Sequence, residues 1–469
     1  MMILFYLILY SLITELKLNM VSIMSKVFFI SAGQLDVKKD PSVKNKKNMY
    51  LNYGALLLST IIKNAGFNII LMHGHFKKPL DFFSDLSNEG ILKSDYPIFI
   101  SIPSFFALTW VKELVFILKN KKKLKNKIYV GGRWVIDNKP SLLKKELTGI
   151  DGVIEGLGEN KILPLLSGIE DRNNYQNVEL DYSILYERRL FQPSIEVSRG
   201  CRMKCEFCQE KNEELTKLKS PEKIISEYKK IVLDDNLNTM NPYFECSIFI
   251  SEKKWIERFI NLRANNNISF LWRTESRVDK LNINHIPLLA KAGLKVIDLG
   301  LESASEVQLK KMGKTKNPAN YLKKASELLK ACYENRIKTK VNIMLYAGET
   351  YETLDKTLQW LRAHKDYIYG VSAGVVFAFG WDENKKEYLD EMISLGASIY
   401  QKNNLIGVTK FNLSDEIDYD ESMKLIKDIS NEFMSDDHYF YLKSFSYYPR
   451  DYTKTQFDID INNERIKQS

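Results

Sequence analysis

The sequence predicts an α/β protein in three parts: a Rossmann-like (flavodoxin-like) doubly wound domain, a partial (β/α)6 TIM-type barrel and a small α+β C-terminal region. Two observations predict it. Apolar runs of strand length alternate with segments of helical periodicity through both halves, the pattern of parallel sheets covered by helices. At 469 residues the chain also exceeds the size at which one hydrophobic core stops growing, so two substantial domains and a smaller appendage are expected. Hydrophobic residues make up 45% and charged residues 27%, which excludes wholesale disorder and a multispan membrane protein. The net charge of +9 comes from 68 basic and 59 acidic residues, spread as on a solvated surface, and no specific nucleic-acid partner is expected.

The reading divides the chain into an extension at residues 1–23, a first domain at 24–169, a linker at 170–190, a barrel at 191–385 and a C-terminal cap at 386–469. The apolar run Met2 to Thr14 is thirteen residues long, too short to span a bilayer and a poor signal peptide, so translation is expected to start at Met24 and no transmembrane span is expected. In the first domain, strands are read at Val27–Ala32, Phe67–Met72, Pro97–Ile102, Ile128–Val130 and Gly152–Glu155, with helices at Tyr50–Ala65, Leu108–Lys119, Ser141–Leu147 and Asn160–Leu166. Ligands of such sheets bind beyond the carboxyl ends of the strands, where glycine permits close approach. The tips here are Ser31-Ala32-Gly33, Ser101-Ile102-Pro103, Gly131-Gly132-Arg133 and Gly156-Leu157-Gly158-Glu159.

With Gly131-Gly132 following Ser101-Ile102-Pro103 after 27 residues and the closing Gly-Leu-Gly-Glu turn, this segment resembles the cobalamin-binding domain at the front of many radical S-adenosylmethionine (SAM) enzymes. The resemblance implies cofactor-binding roles for Ser101, Gly131, Gly132, Gly156 and Gly158. It departs from better known corrinoid methyltransferases in lacking Asp-x-His-x-x-Gly after the first strand, where the chain reads Gln34-Leu35-Asp36-Val37. Cobalamin would therefore be held without a histidine from that loop. His73 and His75 follow the second strand and, with no neighbouring cysteine or carboxylate, are read as loop residues. A Rossmann-like domain that binds nothing is the alternative.

The second half opens with a strand at Ser194–Val197, whose tip delivers Cys201, Cys205 and Cys208 in a CxxxCxxC loop. Five cysteines in so long a chain cannot be a disulfide scaffold, and three within one loop point to metal in a reducing cytoplasm. A zinc knuckle would need a fourth ligand nearby, yet the nearest histidine, His285, lies 77 residues on. A thiol-redox site would need only CxxC in a thioredoxin setting. Three thiolates on a cubane 4Fe-4S cluster leave one iron open to an external ligand. The spacing, the preceding strand and the aromatic Phe207 resemble the radical SAM family. That resemblance implies that the open iron chelates SAM and that one electron frees a 5'-deoxyadenosyl radical, so SAM and an electron donor such as flavodoxin or ferredoxin are expected. Cys246 and Cys332 are read as buried small hydrophobes.

Downstream come a strand at Phe244–Ile250, the run Trp272 to Asp279, a strand at Val296–Leu299 ending in Gly300-Leu301-Glu302-Ser303, a helix at Tyr321–Glu334, and a strand at Lys340–Leu345 before Ala347-Gly348-Glu349-Thr350. The two turns resemble counterparts in the branch containing coproporphyrinogen oxidase, methylthiotransferases and cobalamin-dependent enzymes. By that likeness Glu302 contacts the SAM ribose or amino group, Arg277 lies near its carboxylate, and Gly348 passes close to the adenine. Ile250-Ser251-Glu252 replaces the family's Gly-Gly-Glu, which leaves Glu252 in doubt. The tail is read as helices at Glu387–Tyr400 and Tyr419–Phe433 with an extended aromatic stretch at Tyr439–Tyr448, closing the open side of the barrel.

The expected activity is cobalamin-dependent methylation of an unactivated carbon in a small-molecule or peptide substrate. The alternatives are a cobalamin-independent radical enzyme and a non-catalytic sensor that keeps its cluster for structure. A tRNA methylthiotransferase is rejected because that group carries three further cysteines in its front domain, and none precedes Cys201 here.

Overall fold

A computed structural model describes residues 25–35, 43–136, 139–168, 175, 178–211, 213–233, 241–401 and 405–468. The expected extension, residues Asp36 and Val37, and residues 170–174, 176 and 177 of the expected linker lie outside the described residues. The chain divides into two compact units, one of residues 1–33, 54–103 and 110–186, the other of residues 34–53, 104–109 and 187–469.

The first unit is a five-stranded parallel sheet of β1 (Val27–Ser31), β2 (Ile69–His73), β3 (Ile98–Ser101), β4 (Ile128–Gly131) and β5 (Gly152–Ile154), in the order β2-β1-β3-β4-β5. Every residue of β1 is buried, because helices cover both faces of a central parallel strand. Helices at Tyr53–Asn64, Pro79–Asn88, Leu108–Phe116 and Pro140–Glu146 supply that cover. Part of the segment expected to be linker is folded onto this unit: Leu185 bridges Leu71 of β2, and Asp181 pairs with Lys63 at 2.6 Å.

The second unit is a six-stranded parallel sheet in sequential order, β6 (Ser194–Glu196), β7 (Tyr243–Glu245), β8 (Trp272–Arg277), β9 (Leu294–Glu302), β10 (Lys338–Leu345) and β11 (Gly370–Val375). Helices at Pro221–Leu233, Lys253–Asn265, Ile286–Lys291, Pro318–Glu334 and Tyr351–Ala363 separate the six successive strands, giving the strand–helix alternation of a partial barrel. Along β10 the buried residues are Thr339, Val341, Ile343 and Leu345, the face beneath the helices; Lys338, Lys340, Asn342 and Met344 face the barrel interior. The strand expected at Phe244–Ile250 stops at Glu245, where the ladder ends, although Phe249 N still bonds to the Glu275 carbonyl at 2.8 Å.

The C-terminal region differs most from expectation. Tyr439–Tyr448 is not extended: Asp436–Ser444 is helical, with the Ser435 side chain accepting from His438 N and Asp436 and Asp437 in the first turn. Its Leu442 packs with Phe445 on Val296, near the start of β9. This helix therefore closes the amino end of the barrel strands, not the end that carries the cysteine loop. The first tail helix lies at Asp382–Ser394, earlier than expected, while Tyr419–Phe433 stands where it was read and packs beside β11.

Candidate radical SAM site

The cysteine loop begins where β6 ends, and its path depends on one glycine. Gly200 has φ +75°, and a Cβ there would lie 2.0 Å from the Glu214 carbonyl oxygen, so no other residue fits. Cys201 N and Arg202 N both donate to Glu213 O, at 3.3 and 3.0 Å, and Glu206 N donates to Met312 O at 3.0 Å. These bonds turn the loop over the carboxyl ends of the strands. Cys205 is buried, while Cys201 and Cys208 are partly so, and none is disulfide-bonded. Burial raises the thiols of Cys201 and Cys208, with the Cys205 charge adding to it. Among the described residues no cluster of cysteine, histidine and carboxylate closes around a single ion. A cubane takes three thiolates at separate corners and leaves one iron open, a role that three cysteines on one loop can fill.

Arg277, last residue of β8, is directed at this loop. Its Nη1 lies 3.1 Å from Cys205 Sγ, its Nη2 donates to Lys314 O at 2.7 Å, and its Nε donates to Asp279 at 2.9 Å. The resemblance gave Arg277 to the SAM carboxylate; here its fork positions the cluster loop. Glu302, at the end of β9, takes φ +69°, a left-handed conformation that costs a non-glycine residue about 1 kcal/mol or more. It pairs with Lys314 Nζ at 3.0 Å, both side chains almost fully buried. That Lys314 ammonium lies 5.6 Å from the Phe207 ring centroid, and Tyr321 closes the group by donating to Gly300 O at 2.9 Å. Phe207, Arg277 and Glu302 are thus gathered around Cys205. Lys314 and Tyr321 are additions that the sequence reading missed; the Lys-Met-Gly-Lys run that ends twelve residues after Glu302 was the available signal.

Two further expected residues make none of these contacts. Glu252 is exposed at the start of the helix Lys253–Asn265, without a capping bond from its side chain. Gly348 has φ +66°, and a Cβ there would lie 2.2 Å from Leu395 O and 2.0 Å from Lys311 Nζ. Its glycine is thus required by the packing of the chain itself. Cys246 and Cys332 are buried as read, and burial pushes the Cys332 thiol up to about 12.

Below the loop the barrel interior is charged. Arg273 of β8 grips Asp298 of β9 with two bonds of 2.8 and 2.9 Å, and Lys340 of β10 reaches the same carboxylate at 3.3 Å. Asp298 is held below the usual carboxylate range by these cations against the cost of burial. Burial pushes Glu245 up to about 7 and Glu275 up to about 8.

In the first unit, Gly132 has φ +148° and a Cβ would lie 2.2 Å from Ile102 O, so this tip must be glycine. A Cβ at Gly131 would make ordinary contact with Ile154, at 3.7 Å from its carbonyl oxygen, and one at Gly156 would meet Lys161 Nζ at 4.0 Å. Ala32 N donates to Ser101 O and Ile102 N to Gly131 O, tying the tips of β1, β3 and β4 side by side. Gly158 packs against Leu58, where a Cβ would lie 2.9 Å from Cδ1. The β1 tip is filled by its own unit, because Gly33 and Gly74 meet beneath Trp110. His73 and His75 are not solvated loop residues: both are enclosed, stacked with centroids 5.3 Å apart, and held neutral by burial. Gly131 is half-buried and Gly156 exposed at these tips, which would border a corrinoid held without a β1-loop histidine.

Residues 195–361 match the Radical SAM superfamily. The chain is 26% identical over 264 residues to an anaerobic magnesium-protoporphyrin IX monomethyl ester cyclase of Rubrivivax gelatinosus, covering 48% of this chain and 46% of that one. It is 24% identical over 314 residues to a protein of Methanocaldococcus jannaschii whose name, methylthiotransferase, is itself provisional, covering 60% and 65%. The chain thus spans less than two thirds of either relative. In fold it is similar to the radical SAM methyltransferase TsrM of Kitasatospora setae, at TM-score 0.60 and 15% identity over 81% of this chain and 79% of that one. TsrM has been seen with cobalamin and a 4Fe-4S cluster, and with tryptophan and a SAM analogue. Among the described residues no helix is long and apolar enough to cross a membrane.

Proposed function

We propose, from the premise that this chain is a radical SAM enzyme, that it methylates an unactivated carbon of a biosynthetic substrate with the help of cobalamin. The observation that carries the reading is the joining, on one chain, of a doubly wound sheet with glycine-bearing tips and a barrel that bears the three-cysteine loop. The fold likeness to TsrM, which extends over most of the chain, supports it. Cys201, Cys205 and Cys208 would hold the 4Fe-4S cluster, which when bound supplies the electron that cleaves SAM. Arg277 fixes the loop through Cys205 and carries positive charge beside a thiolate. Lys314 neutralises Glu302 and keeps its backbone in the left-handed turn. Gly131 and Gly156 would border the corrinoid, which when bound supplies a methyl carrier. A flavodoxin or ferredoxin as electron donor, a small-molecule or peptide substrate and a cytoplasmic location complete the reading.

Anaerobic reconstitution with iron, sulfide and hydroxocobalamin tests it. The expected result is a corrinoid absorbance that elutes with the protein and S-adenosylhomocysteine formed only in its presence. Protein that retains no corrinoid yet yields 5'-deoxyadenosine would overturn methylation and leave direct radical rearrangement, oxidation or crosslinking. Protein that yields neither product would favour a sensor.

A further inference from the structure

The basic excess of the chain is not evenly spread. Lys121, Lys122, Lys123, Lys125 and Lys127 crowd the turn between helix Leu108–Phe116 and β4, and all of them are exposed. None forms an ion pair with a described residue, whereas Lys63, Lys77, Lys112 and Lys119 of the same unit each hold a carboxylate. Like charges so close repel one another, and the fold alone gains nothing from gathering them. Lys123 also takes φ +56°, a conformation that favours glycine or asparagine. A cation is thus kept there against the preference of the backbone.

The surroundings of the run are an independent observation. Asn126 donates to Ser94 O at 2.7 Å and to Tyr96 O at 2.8 Å, and Ser94 Oγ donates to Lys26 O at 2.7 Å. These bonds tie the turn to the segments that enter β3 and β1, so the amino ends of three parallel strands form one edge. Two apolar side chains stand open beside it. Leu92 keeps 53% of its surface exposed and Phe116 50%, with the Lys121 ammonium 5.9 Å from the Phe116 ring centroid. Of the carboxylates here, Asp151 is taken by Lys119 and Glu89 by Lys26. That leaves Asp95 and, one helical turn before Phe116, Glu113, both exposed, against the five lysines of the turn and the exposed Lys93. The edge lies at the opposite ends of the strands from Gly131 and Gly156, so a partner here leaves the ligand tips free. The apolar run Met2 to Thr14, read as lying upstream of the start at Met24, would in a chain begun at Met1 precede β1 at this same edge.

We propose that by this edge the protein rests on a membrane surface of anionic lipid. The lysines attract the headgroup phosphates, and Phe116 and Leu92 enter the boundary between headgroups and acyl chains. A nucleic acid would also attract lysines. Nucleic-acid surfaces favour arginine, however, whose fork matches a phosphate and whose plane stacks, and this run contains none. An aliphatic side chain such as Leu92 gains from an acyl boundary what a phosphate backbone does not offer. The inference concerns where the protein works and does not rest on the radical SAM reading.

Sedimentation of the full chain with phosphatidylcholine vesicles, with and without a third of phosphatidylglycerol, tests it. Binding is expected to the anionic vesicles and not to the neutral ones. Each lysine at an anionic surface is worth roughly fivefold in partition, so Lys121→Gln, Lys123→Gln and Lys125→Gln together should weaken binding about a hundredfold. Their side chains are exposed, and the melting temperature should stay that of the wild type. Wild-type protein in about 0.5 M salt gives a second reading that needs no variant, since screening should release it. Equal partition to both vesicles, no binding to either, or binding that survives salt or the triple substitution would each overturn the proposal. Tighter binding to random-sequence duplex DNA than to anionic vesicles, at equal phosphate and salt, would assign the edge to nucleic acid and overturn it too.

Discussion

At the scale of single residues, the site depends on a few side chains whose alternatives do not fit. Gly200→Ala would place a methyl group against the Glu214 carbonyl in a left-handed turn, and a loss of about 3 kcal/mol is expected by denaturant titration, together with lost iron. Cys205→Ser should lower iron from about four atoms per chain to near none after anaerobic reconstitution. Arg277→Lys keeps a positive charge but loses the fork that reaches both Cys205 and Lys314 O. Iron content should survive it, while 5'-deoxyadenosine forms roughly tenfold more slowly. The cysteines were legible because their spacing is itself the chemistry. Glu302 and Arg277 were legible as positions, since both end strands, but not as partners: the bond to Cys205 and the pairing with Lys314 join residues distant in sequence. Gly348 was legible as a necessary glycine, yet its necessity comes from Leu395 O, which no local pattern records.

At the scale of elements, alternation of strand and helix gave both sheets, because a parallel sheet forces that rhythm on its sequence. Boundaries moved where tertiary bonds outweigh local preference, as at β7, which ends after Glu245 although the apolar run continues to Ile250. The aromatic stretch near Tyr441 was misread because aromatic residues favour strands. The overlooked signals were Ser435 as a cap and two aspartates in the first turn, which favour a helix there. Ser435→Ala should cost about 1 kcal/mol in urea titration. The helix it caps matters because it forms the floor of the barrel through Leu442.

At the scale of the whole molecule, stability should depend on pH through carboxyls that burial has raised. Glu245 and Glu349 are pushed up to about 7 and Glu275 to about 8, while exposed glutamates titrate near 4.3. Between those values the folded chain binds more protons than the unfolded one, so these groups favour folding at low pH and that advantage is lost as pH rises. Asp298, held low by Arg273 and Lys340, acts in the opposite sense, but below about pH 4. Above about pH 6.5, where unfolded histidine is also neutral and the enclosed His73 and His75 no longer add an opposite slope, the melting temperature of ligand-free protein should therefore fall towards about pH 8, and Glu275→Gln should flatten the slope. A melting temperature that rises across this range would mean that these carboxyls are not enclosed as described.

The central claim is that Cys201, Cys205 and Cys208 hold a cubane with one corner free for SAM. The most direct measurement is 5'-deoxyadenosine released when cluster-loaded protein is mixed with SAM and dithionite without oxygen. The account predicts its formation by wild-type protein and its loss when any of the three cysteines is replaced by alanine. Fully loaded wild-type protein that releases none, or an alanine variant that releases as much, would contradict it.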